Sequence, residues 1–403
     1  MYNRLVRFLL PLVLLLPVFP AAAASAASPF CADCAATRRF FAQICDYIDA
    51  KKTDFDADTK SARTIFTNGY YMRTLVAGYR IFGERRYLDA AVRYADLLLE
   101  KQSPRGYWAT GYGNIYLADT GSALGLFAVL HRHVDETRRK RYRDAVSRYT
   151  AAIEADGLIN ASGAIGTGWR ADREGKITGP YKDEYTISSA LTGGEVFTWM
   201  YHLTGEDKYR RTAWRALSWV LGTMREDGVI PYVLAGEGTS MAKKGDPEND
   251  FRLWERARYL TSAYVGEGVL SFDLYCGRPE WQGELRRRIR PHIEFLLRTQ
   301  DPDGTWGVPD TKTSWDQKRS PGIVDFLIWY HQHVSPDPRI VAAVRKFDRF
   351  LLDPKQARAF GMLNAGAVPD PGVSSPETRV DCVTGIGGRA VAAILMPGVD
   401  ADW

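Results

Sequence analysis

The sequence predicts an all-α protein in which six helical hairpins form an (α/α)6 toroid, with an inner and an outer ring of helices. One pattern occurs five times: an apolar, aromatic-rich helix, a short polar turn and a helix of mixed charge. Helices that are apolar all round are buried, and amphipathic helices cover them. The first helix of each pair therefore belongs to the inner ring. The five hairpins span residues 76–99, 126–153, 196–221, 269–297 and 325–352.

The two ends of the chain supply the sixth hairpin. Residues 36–50 form an amphipathic helix, and residues 384–396 form an apolar helix that no outer helix follows. Paired with each other, they complete the circle. Because no linker rich in Pro, Gly or Ser interrupts the repeat, residues 27–403 are predicted to form a single toroidal domain.

The N-terminal residues 1–26 are predicted to be a secretory signal peptide. Arg4 and Arg7 precede an apolar run at 8–19, which is too short to cross a bilayer, and Ala24-Ser25-Ala26 fits a cleavage site. We therefore expect a secreted or periplasmic protein that is free of the membrane once the signal is removed.

Composition and charge indicate a globular protein and make nucleic acid a poor candidate partner. The chain is 45% hydrophobic and 25% charged, with a formal net charge of +5. Its basic segments "RRKRYR" (138–143) and "RRRIR" (286–290) fall in predicted helices, where they are typical of solvated outer faces.

The five cysteines predict disulfides rather than a metal site. Cys31 and Cys34 are close enough for a local bridge, although free thiols are an alternative; no βαβ pattern surrounds them to indicate redox chemistry. Cys45 and Cys382 fall where the ring closes and are predicted to form a closing disulfide. No His or second Cys pair lies near any of them, so neither a metal nor another cofactor is expected.

One phrase occurs twice, as "LLLEKQSPRGYW" (97–108) and "FLLRTQDPDGTW" (295–306). Glycine would provide a left-handed cap at the end of an outer helix, and tryptophan would pack back over that end. The phrase resembles the QW repeats of terpenoid cyclases, whose acid motif this chain lacks. A structural role is favoured.

Long segments lead from each outer helix to the next inner helix, and all emerge on one rim of the toroid, where the inner helices begin. Their aromatic rings could stack on sugars, although each could instead anchor its own loop. The aromatic candidates for substrate binding are Trp108, Tyr112, Trp169, Tyr181, Trp254, Trp306 and Trp315. Arg170 and Arg252 could hold a uronate carboxylate bidentately.

Carboxylates near the starts of the inner helices are the catalytic candidates, although caps and ion pairs are alternatives for each. They are Asp119, Asp183, Glu184, Glu255 and Asp316. Five of the six histidines fall on the opposite rim, which favours carboxylate chemistry over histidine chemistry. Glycoside hydrolysis needs a proton donor and a second carboxylate.

Helical hairpins with turns such as "TGEDKY" (204–209), and Asp at the starts of inner helices, resemble the six-hairpin glycosidase superfamily. The nearest in style are the unsaturated glucuronyl and rhamnogalacturonyl hydrolases. The resemblance implies a toroidal hydrolase of poly- or oligosaccharides in which Asp119 and Asp183 are the two functional aspartates.

Two alternatives stay open at this point. One is a polysaccharide lyase or uronyl C5-epimerase on the same scaffold, with Tyr112, Tyr181 or Tyr185 as base and an arginine as charge neutraliser. The other is a glycan-binding protein without catalysis, because one fold supports many functions.

Overall fold

A computed structural model describes residues 28–53, 62–108, 115–172, 176–232, 247–306, 321–353 and 387–399. The predicted signal peptide lies outside these ranges. In chain order the helices are α1 (Cys34–Lys51), α2 (Ala62–Phe82), α3 (Arg85–Lys101), α4 (Leu117–Leu130), α5 (Glu136–Ala155), α6 (Thr186–Ser188), α7 (Phe197–Thr204), α8 (Asp207–Gly222), α9 (Pro247–Tyr275), α10 (Pro279–Arg298), α11 (Pro321–His333), α12 (Pro338–Leu352) and α13 (Gly387–Leu395). A π-helix (Ser189–Val196) joins α6 to α7, and a 3-10 helix (His131–His133) follows α4.

The inner helices form a closed ring. Helix α2 packs on α4, α4 on the π-helix, the π-helix on α9, α9 on α11, α11 on α13, and α13 on α2 again. Helix α1 packs against α13, α2, α3 and α12. The first and last helices therefore make the sixth pair, and the predicted (α/α)6 toroid is confirmed.

The burial of α4 and α5 shows why the sequence separates into two rings. Every residue of α4 except Asp119 is buried, as an apolar inner helix requires. Helix α5 buries one stripe, which includes Tyr142, Val146 and Tyr149, and turns its charged residues outward. The hydrophobic effect thus places the first helix of a hairpin inside and the second outside.

A small antiparallel sheet at the rim was not predicted from the helical pattern. Strand β1 (Ile115–Tyr116) pairs with β2 (Gly166–Ala171), which pairs with β3 (Ile177–Glu184). Gly168 has φ +146°, and a Cβ there would lie 1.8 Å from the carbonyl oxygen of Ile115. Only glycine allows β1 to approach so closely. Gly168 therefore keeps the loop before α4 in contact with the loop before α6.

One turn occurs four times after the outer helices. In each, a backbone N–H bonds to the carbonyl four residues later, and a glycine with φ between +86° and +103° presses on a carbonyl of the next outer helix. The turns begin and reach their glycine at Ser103 and Gly106, Asn160 and Gly163, Arg225 and Gly228, and Asp301 and Gly304. They space the outer helices around the ring.

The repeated phrase adds side chains to two of these turns. The Gln102 amide donates to the carbonyl of Gly106 at 2.8 Å and to that of Ala145 in α5 at 2.7 Å. Gln300 repeats the arrangement with Gly304 and with Ala343 in α12, both at 2.9 Å. Glutamine therefore links consecutive outer helices, and the predicted structural role is confirmed.

The structure tests the cysteine predictions only in part. Cys31 and Cys34 form a disulfide. Cys45 is a buried thiol packed against Gly78 in α2, and the predicted closing disulfide with Cys382 stays a prediction. Cys382 itself lies outside the described residues. In the described part of the chain, ring closure rests on the packing of α1 and α13.

Among the described helices, none is both long and apolar enough to cross a membrane.

Gly106→Ala should destabilise the protein more than Gly83→Ala, although both glycines have positive φ. A Cβ at Gly106 would lie 2.4 Å from the carbonyl oxygen of Arg148, whereas nothing lies within 4 Å of one at Gly83. The left-handed backbone costs about 1–2 kcal/mol in both variants. The clash adds to this cost at Gly106 only, so its loss of unfolding free energy should be larger by at least about 1 kcal/mol. Urea unfolding of both variants measures it, and equal losses would contradict the packing role of the turn.

Stability should fall with acid because His292 is neutral in the folded protein. Its Nδ1 donates to the carbonyl of Gly228 at 2.7 Å, and burial lowers its pKa to about 4. The unfolded chain binds this proton near pH 6.5, so the stabilisation is present above pH 6.5 and is lost as the pH falls toward 4.

Between pH 7 and pH 5, the free energy of unfolding should fall by about 2 kcal/mol because of His292 alone. His292→Asn keeps an N–H donor near Nδ1 but does not titrate. Urea unfolding at both pH values measures how steeply the free energy of unfolding depends on pH. In the variant this dependence should correspond to about one proton fewer. An unchanged slope would contradict the assignment.

Candidate active site

Two carboxylates predicted to be catalytic lie at the starts of neighbouring inner helices. Asp119 is half-buried in the first turn of α4, directly after β1. Asp183 is half-buried near the end of β3, directly before α6. Because β1 and β3 both pair with β2, the sheet holds the two helix starts together at one rim.

Tyr185 follows Asp183 by two positions in the chain, and the charge of Asp119 acts on its hydroxyl. Its hydroxyl donates to the hydroxyl of Tyr232 at 2.8 Å. Burial, then the neighbouring Tyr232 and the charge of Asp119, raise the pKa of Tyr185 well above its usual value. An electrostatic effect of this kind requires proximity. Tyr185 is therefore near Asp183 in the chain and near Asp119 in space.

A small group of buried residues surrounds Tyr185 and is separate from the main hydrophobic core. This tyrosine cluster consists of Tyr70, Ala118, Tyr185, Ile187, Leu191, Tyr232 and Tyr264. Tyrosine combines an apolar ring with a polar hydroxyl. Its tyrosines are at most 8% exposed, so the cluster is a packed floor beside Asp119 rather than a surface on which a sugar could stack.

Asp183 shares one face of β3 with Tyr181. The Tyr181 hydroxyl and the Asp183 Oδ2 are buried and make no hydrogen bond of good geometry within the described ranges, although the two side chains are close enough to interact with each other. The Arg170 guanidinium lies 4.7 Å from the centre of the Tyr181 ring. Burial, then the charge of Asp183, raise the pKa of Tyr181 to about 12. Buried polar atoms without a partner are rare, and a catalytic or ligand-binding role is one explanation for them.

Glu184 was predicted beside Asp183 as a catalytic candidate, but it lies on the other face of β3. Neighbouring strand residues point to opposite faces. The Glu184 carboxylate accepts a hydrogen bond from the Ser162 hydroxyl in the preceding turn. The structure therefore separates the adjacent acids, and Asp183 alone faces Tyr181.

Four predicted sugar platforms are wrong because their rings are buried: Tyr181, which is 2% exposed, and three tryptophans. Trp108 and Trp306 are at most 1% exposed, and each indole N–H donates at 2.7 Å to a carbonyl ten residues earlier, in α3 and α10. Trp169 is fully buried, and its N–H donates to Asp156 at 2.6 Å. A ring that stacks on a sugar needs an accessible face. These side chains anchor helix ends and the sheet.

Six other candidates cannot be placed. Tyr112, Trp315 and Asp316 lie outside the described residues. Arg252, Trp254 and Glu255 belong to the first turns of α9, where the structure describes the backbone helix but not these side chains. They stay predictions.

Beneath the tyrosine cluster, charged residues from five inner helices meet on the axis of the toroid. Arg73 of α2 contacts Glu195 of the π-helix at 3.0 Å and Glu267 of α9 at 3.2 Å. Arg389 of α13 contacts Glu267 at 3.0 Å and Asp325 of α11 at 3.8 Å. We call this set the axial ion network. Buried charges require such partners.

The axial ion network holds the floor of the candidate site. The Tyr70 hydroxyl donates to Glu267 at 2.7 Å, which joins the tyrosine cluster to the network. Helix α4 contributes Gly125, where a Cβ would lie 2.4 Å from Nη1 of Arg73. Sequence reasoning missed Arg73 and Arg389. The signal for Arg389 was a single cation in an otherwise apolar helix, whereas Arg73 is one of three arginines in α2.

The histidines lie away from this site, as predicted. His131, His133, His202, His331 and His333 are all at or after the C-terminal ends of inner helices. Within the described ranges no group of three His, Cys, Asp or Glu side chains could hold a metal ion.

No protein-family model matches the chain, and no curated protein does. Solved structures do. An unsaturated glucuronyl hydrolase from Bacillus sp. GL1 is 19% identical, with a TM-score of 0.62 over 91% of this chain and 98% of that one. A Salmonella enterica protein, described as a possible member of the GH105 family, is 12% identical, with a TM-score of 0.61 over 89% and 94%.

A polysaccharide lyase is 14% identical, with a TM-score of 0.55 over 87% of this chain and 97% of that one. At these identities the likeness shows the fold. The architecture is that of the six-hairpin glycosidases, so the resemblance inferred from the sequence is confirmed at this level.

Glu267→Gln should destabilise the protein by about 3 kcal/mol, because it removes the carboxylate that both Arg73 and Arg389 contact. Glu136→Gln is the matched control, since its carboxylate is 76% exposed and meets Arg139 only at 3.7 Å. That variant should change the free energy of unfolding by less than about 0.5 kcal/mol. Similar values for both variants in urea unfolding would refute the importance of the network.

Proposed function

We propose that the chain is an exported glycoside hydrolase that cleaves poly- or oligosaccharides, including uronate-containing ones, at the rim where the inner helices begin. One observation carries the proposal. Asp119 and Asp183 lie at the starts of neighbouring inner helices, which the three-stranded sheet holds at one rim, next to a cluster of buried tyrosines.

The two carboxyls can supply the chemistry of glycoside cleavage. One protonates the leaving oxygen while the other attacks the sugar or activates a water. Both are half-buried, so they can contact a bound sugar in surroundings of lower polarity than water. The Tyr181 hydroxyl and the Asp183 Oδ2 would bond to the substrate, which would satisfy both atoms.

Arg170 supports a uronate in the substrate. Its guanidinium is exposed above the Tyr181 ring, and no carboxylate pairs with it within the described ranges. An arginine in this position can bind a sugar carboxylate through two hydrogen bonds. The glucuronyl hydrolase of similar fold is consistent with this choice.

A lyase on the same scaffold is the second candidate, since a polysaccharide lyase shares the fold. It would need a tyrosine as base, and burial works against both described candidates. It raises the pKa of Tyr181 to about 12 and that of Tyr185 well above its usual value. Both stay protonated near pH 7, which disfavours proton abstraction. Tyr112 lies outside the described residues.

Export remains part of the proposal, on the predicted signal peptide at 1–26 and the Cys31–Cys34 disulfide, which is typical of oxidising compartments. Mass determination of the protein from its native host tests it. A mature chain that begins at residue 27 supports export, and an intact N-terminus contradicts it.

Asp119→Asn and Asp183→Asn should each lower kcat/KM at least about 100-fold, because each removes a group that transfers a proton or attacks the sugar. Glu184→Gln, one position from Asp183 but on the other face of β3, should stay within about threefold of the parent. The assay incubates the mature protein with pectic, glucuronic and neutral saccharides, and follows reducing ends together with the ultraviolet absorbance of unsaturated products.

Reducing ends without a rise in absorbance, lost in both Asn variants, are the expected result. A rise in absorbance that survives both changes would identify a lyase that uses a tyrosine. Ligand binding without any product would identify a glycan-binding protein. Equal losses in Glu184→Gln and Asp183→Asn would contradict the assignment of the two faces of β3.

A further inference from the structure

Both basic segments noted in the sequence have carboxylate partners, including Arg286 with Asp273 and Arg288 with Glu284 in the second one, but some other cations of the described outer helices do not. In α5 the "RRKRYR" segment is neutralised: Arg138 and Arg141 contact Asp96 at 3.1 and 3.3 Å, and Lys140 contacts Asp144 at 2.6 Å. On α10 and α12, by contrast, some basic side chains are exposed and have no carboxylate partner within the described ranges. They include Arg298, Arg345 and Arg349.

These unpaired cations surround a groove between α10 and α12, which we call the basic groove. It encloses about 650 Å³ over a floor of Leu297, Ala342 and Ala343, with Arg298, Lys346 and Arg349 around it. The one acid that lines it, Glu294, is paired with Arg339 at 2.8 Å. A neighbouring hollow of about 440 Å³ shares Ala342 and adds Arg345.

The spacing on α12 extends the positive charge along the groove. Arg339, Ala342, Lys346 and Arg349 follow one another at intervals of three and four residues, so they share one helix face. With a rise of 1.5 Å per residue this face is about 15 Å long. Arg339 is compensated by Glu294 and Asp337, so the positive charges that remain on this face are those of Lys346 and Arg349, over a narrow apolar floor.

We propose that the basic groove is a second carbohydrate-binding site, which holds a strand of acidic polysaccharide on the outer face of the toroid, apart from the candidate active site. A polymer with a carboxylate on every sugar matches a row of guanidinium and ammonium groups. Only the choice of a polysaccharide as the polyanion rests on the proposed function.

The lining argues against other polyanions. No aromatic side chain lines the groove, so neither the stacked bases of a single-stranded nucleic acid nor neutral sugars find a platform there. A membrane surface would favour exposed apolar side chains that insert into it. Among the described residues the one large hydrophobic side chain that is exposed is Met396, which follows α13 and does not line the groove. The groove would therefore bind a polyanion mainly through charge.

The test compares two double charge reversals in the mature chain carrying Asp119→Asn, so that the polymer stays intact during the measurement. Arg345→Glu with Arg349→Glu changes one cation of the groove and one of the hollow beside it, which shares Ala342. Arg93→Glu with Lys101→Glu changes exposed, unpaired cations on α3. Each pair lowers the formal net charge of +5 by the same four units, so a general electrostatic effect would be equal in both. Circular dichroism checks folding, and Arg345→Gln with Arg349→Gln provides a milder variant.

Binding to polygalacturonate and to its fully methyl-esterified form is measured at low and moderate salt. We expect the groove reversal to weaken binding of the acidic polymer at least about 10-fold, the α3 reversal to change it less than about twofold, and salt to weaken it in the parent. The esterified polymer, which has the same backbone without the charges, should not bind.

Equal weakening by both reversals, no weakening by either, or equal binding of the esterified polymer would overturn the proposal. Tighter binding to single-stranded DNA or to anionic lipid vesicles through the same residues would also overturn it. Because binding needs no turnover, this result is independent of whether the protein proves to be a hydrolase. In the parent background, the groove reversal should leave kcat/KM on a short oligosaccharide unchanged.

Discussion

The axial ion network is the interaction on which the rest of the structure depends. Arg73 and Arg389 are buried on the axis of the ring, where a charge without a partner would cost several kcal/mol. Their acidic partners come from other inner helices, and Arg389 belongs to the last helix of the chain. The charges are compensated only when the ring is complete. Closure of the toroid and neutralisation of its centre are therefore one event.

The same network reaches the candidate site through a single hydroxyl. Glu267 accepts from Tyr70, and Tyr70 belongs to the cluster that surrounds Tyr185. Glycines make the approach of the inner helices close enough for this: a Cβ at Gly125 would displace the Arg73 guanidinium, and one at Gly268 would lie 2.2 Å from the carbonyl oxygen of Ala190. Positions without a side chain thus decide where the functional side chains lie.

Local patterns in the sequence predicted a large part of this architecture, and they failed where partners were distant. The alternation of apolar and mixed helices predicted the two rings and the pairing of the first helix with the last. The repeated glutamine and glycine predicted a turn, because the left-handed backbone is a local requirement. For Trp108 and Trp306 the sequence left two roles open, because an aromatic in a long loop is compatible with either stacking on a sugar or packing over a helix end.

What the sequence determined by itself was the order of helices, their inner or outer position and the aspartates that open α4 and α6, because each depends on residues near one another in the chain. The tertiary structure decided which groups meet. Pairing of β2 with both β1 and β3 brought Asp119 and Asp183 to one rim, and the alternation of β3 turned Glu184 away. Ring closure gave Arg73 and Arg389 their partners, and packing buried the Cys45 thiol. Such contacts join residues up to hundreds of positions apart, and only the folded ring sets their distances.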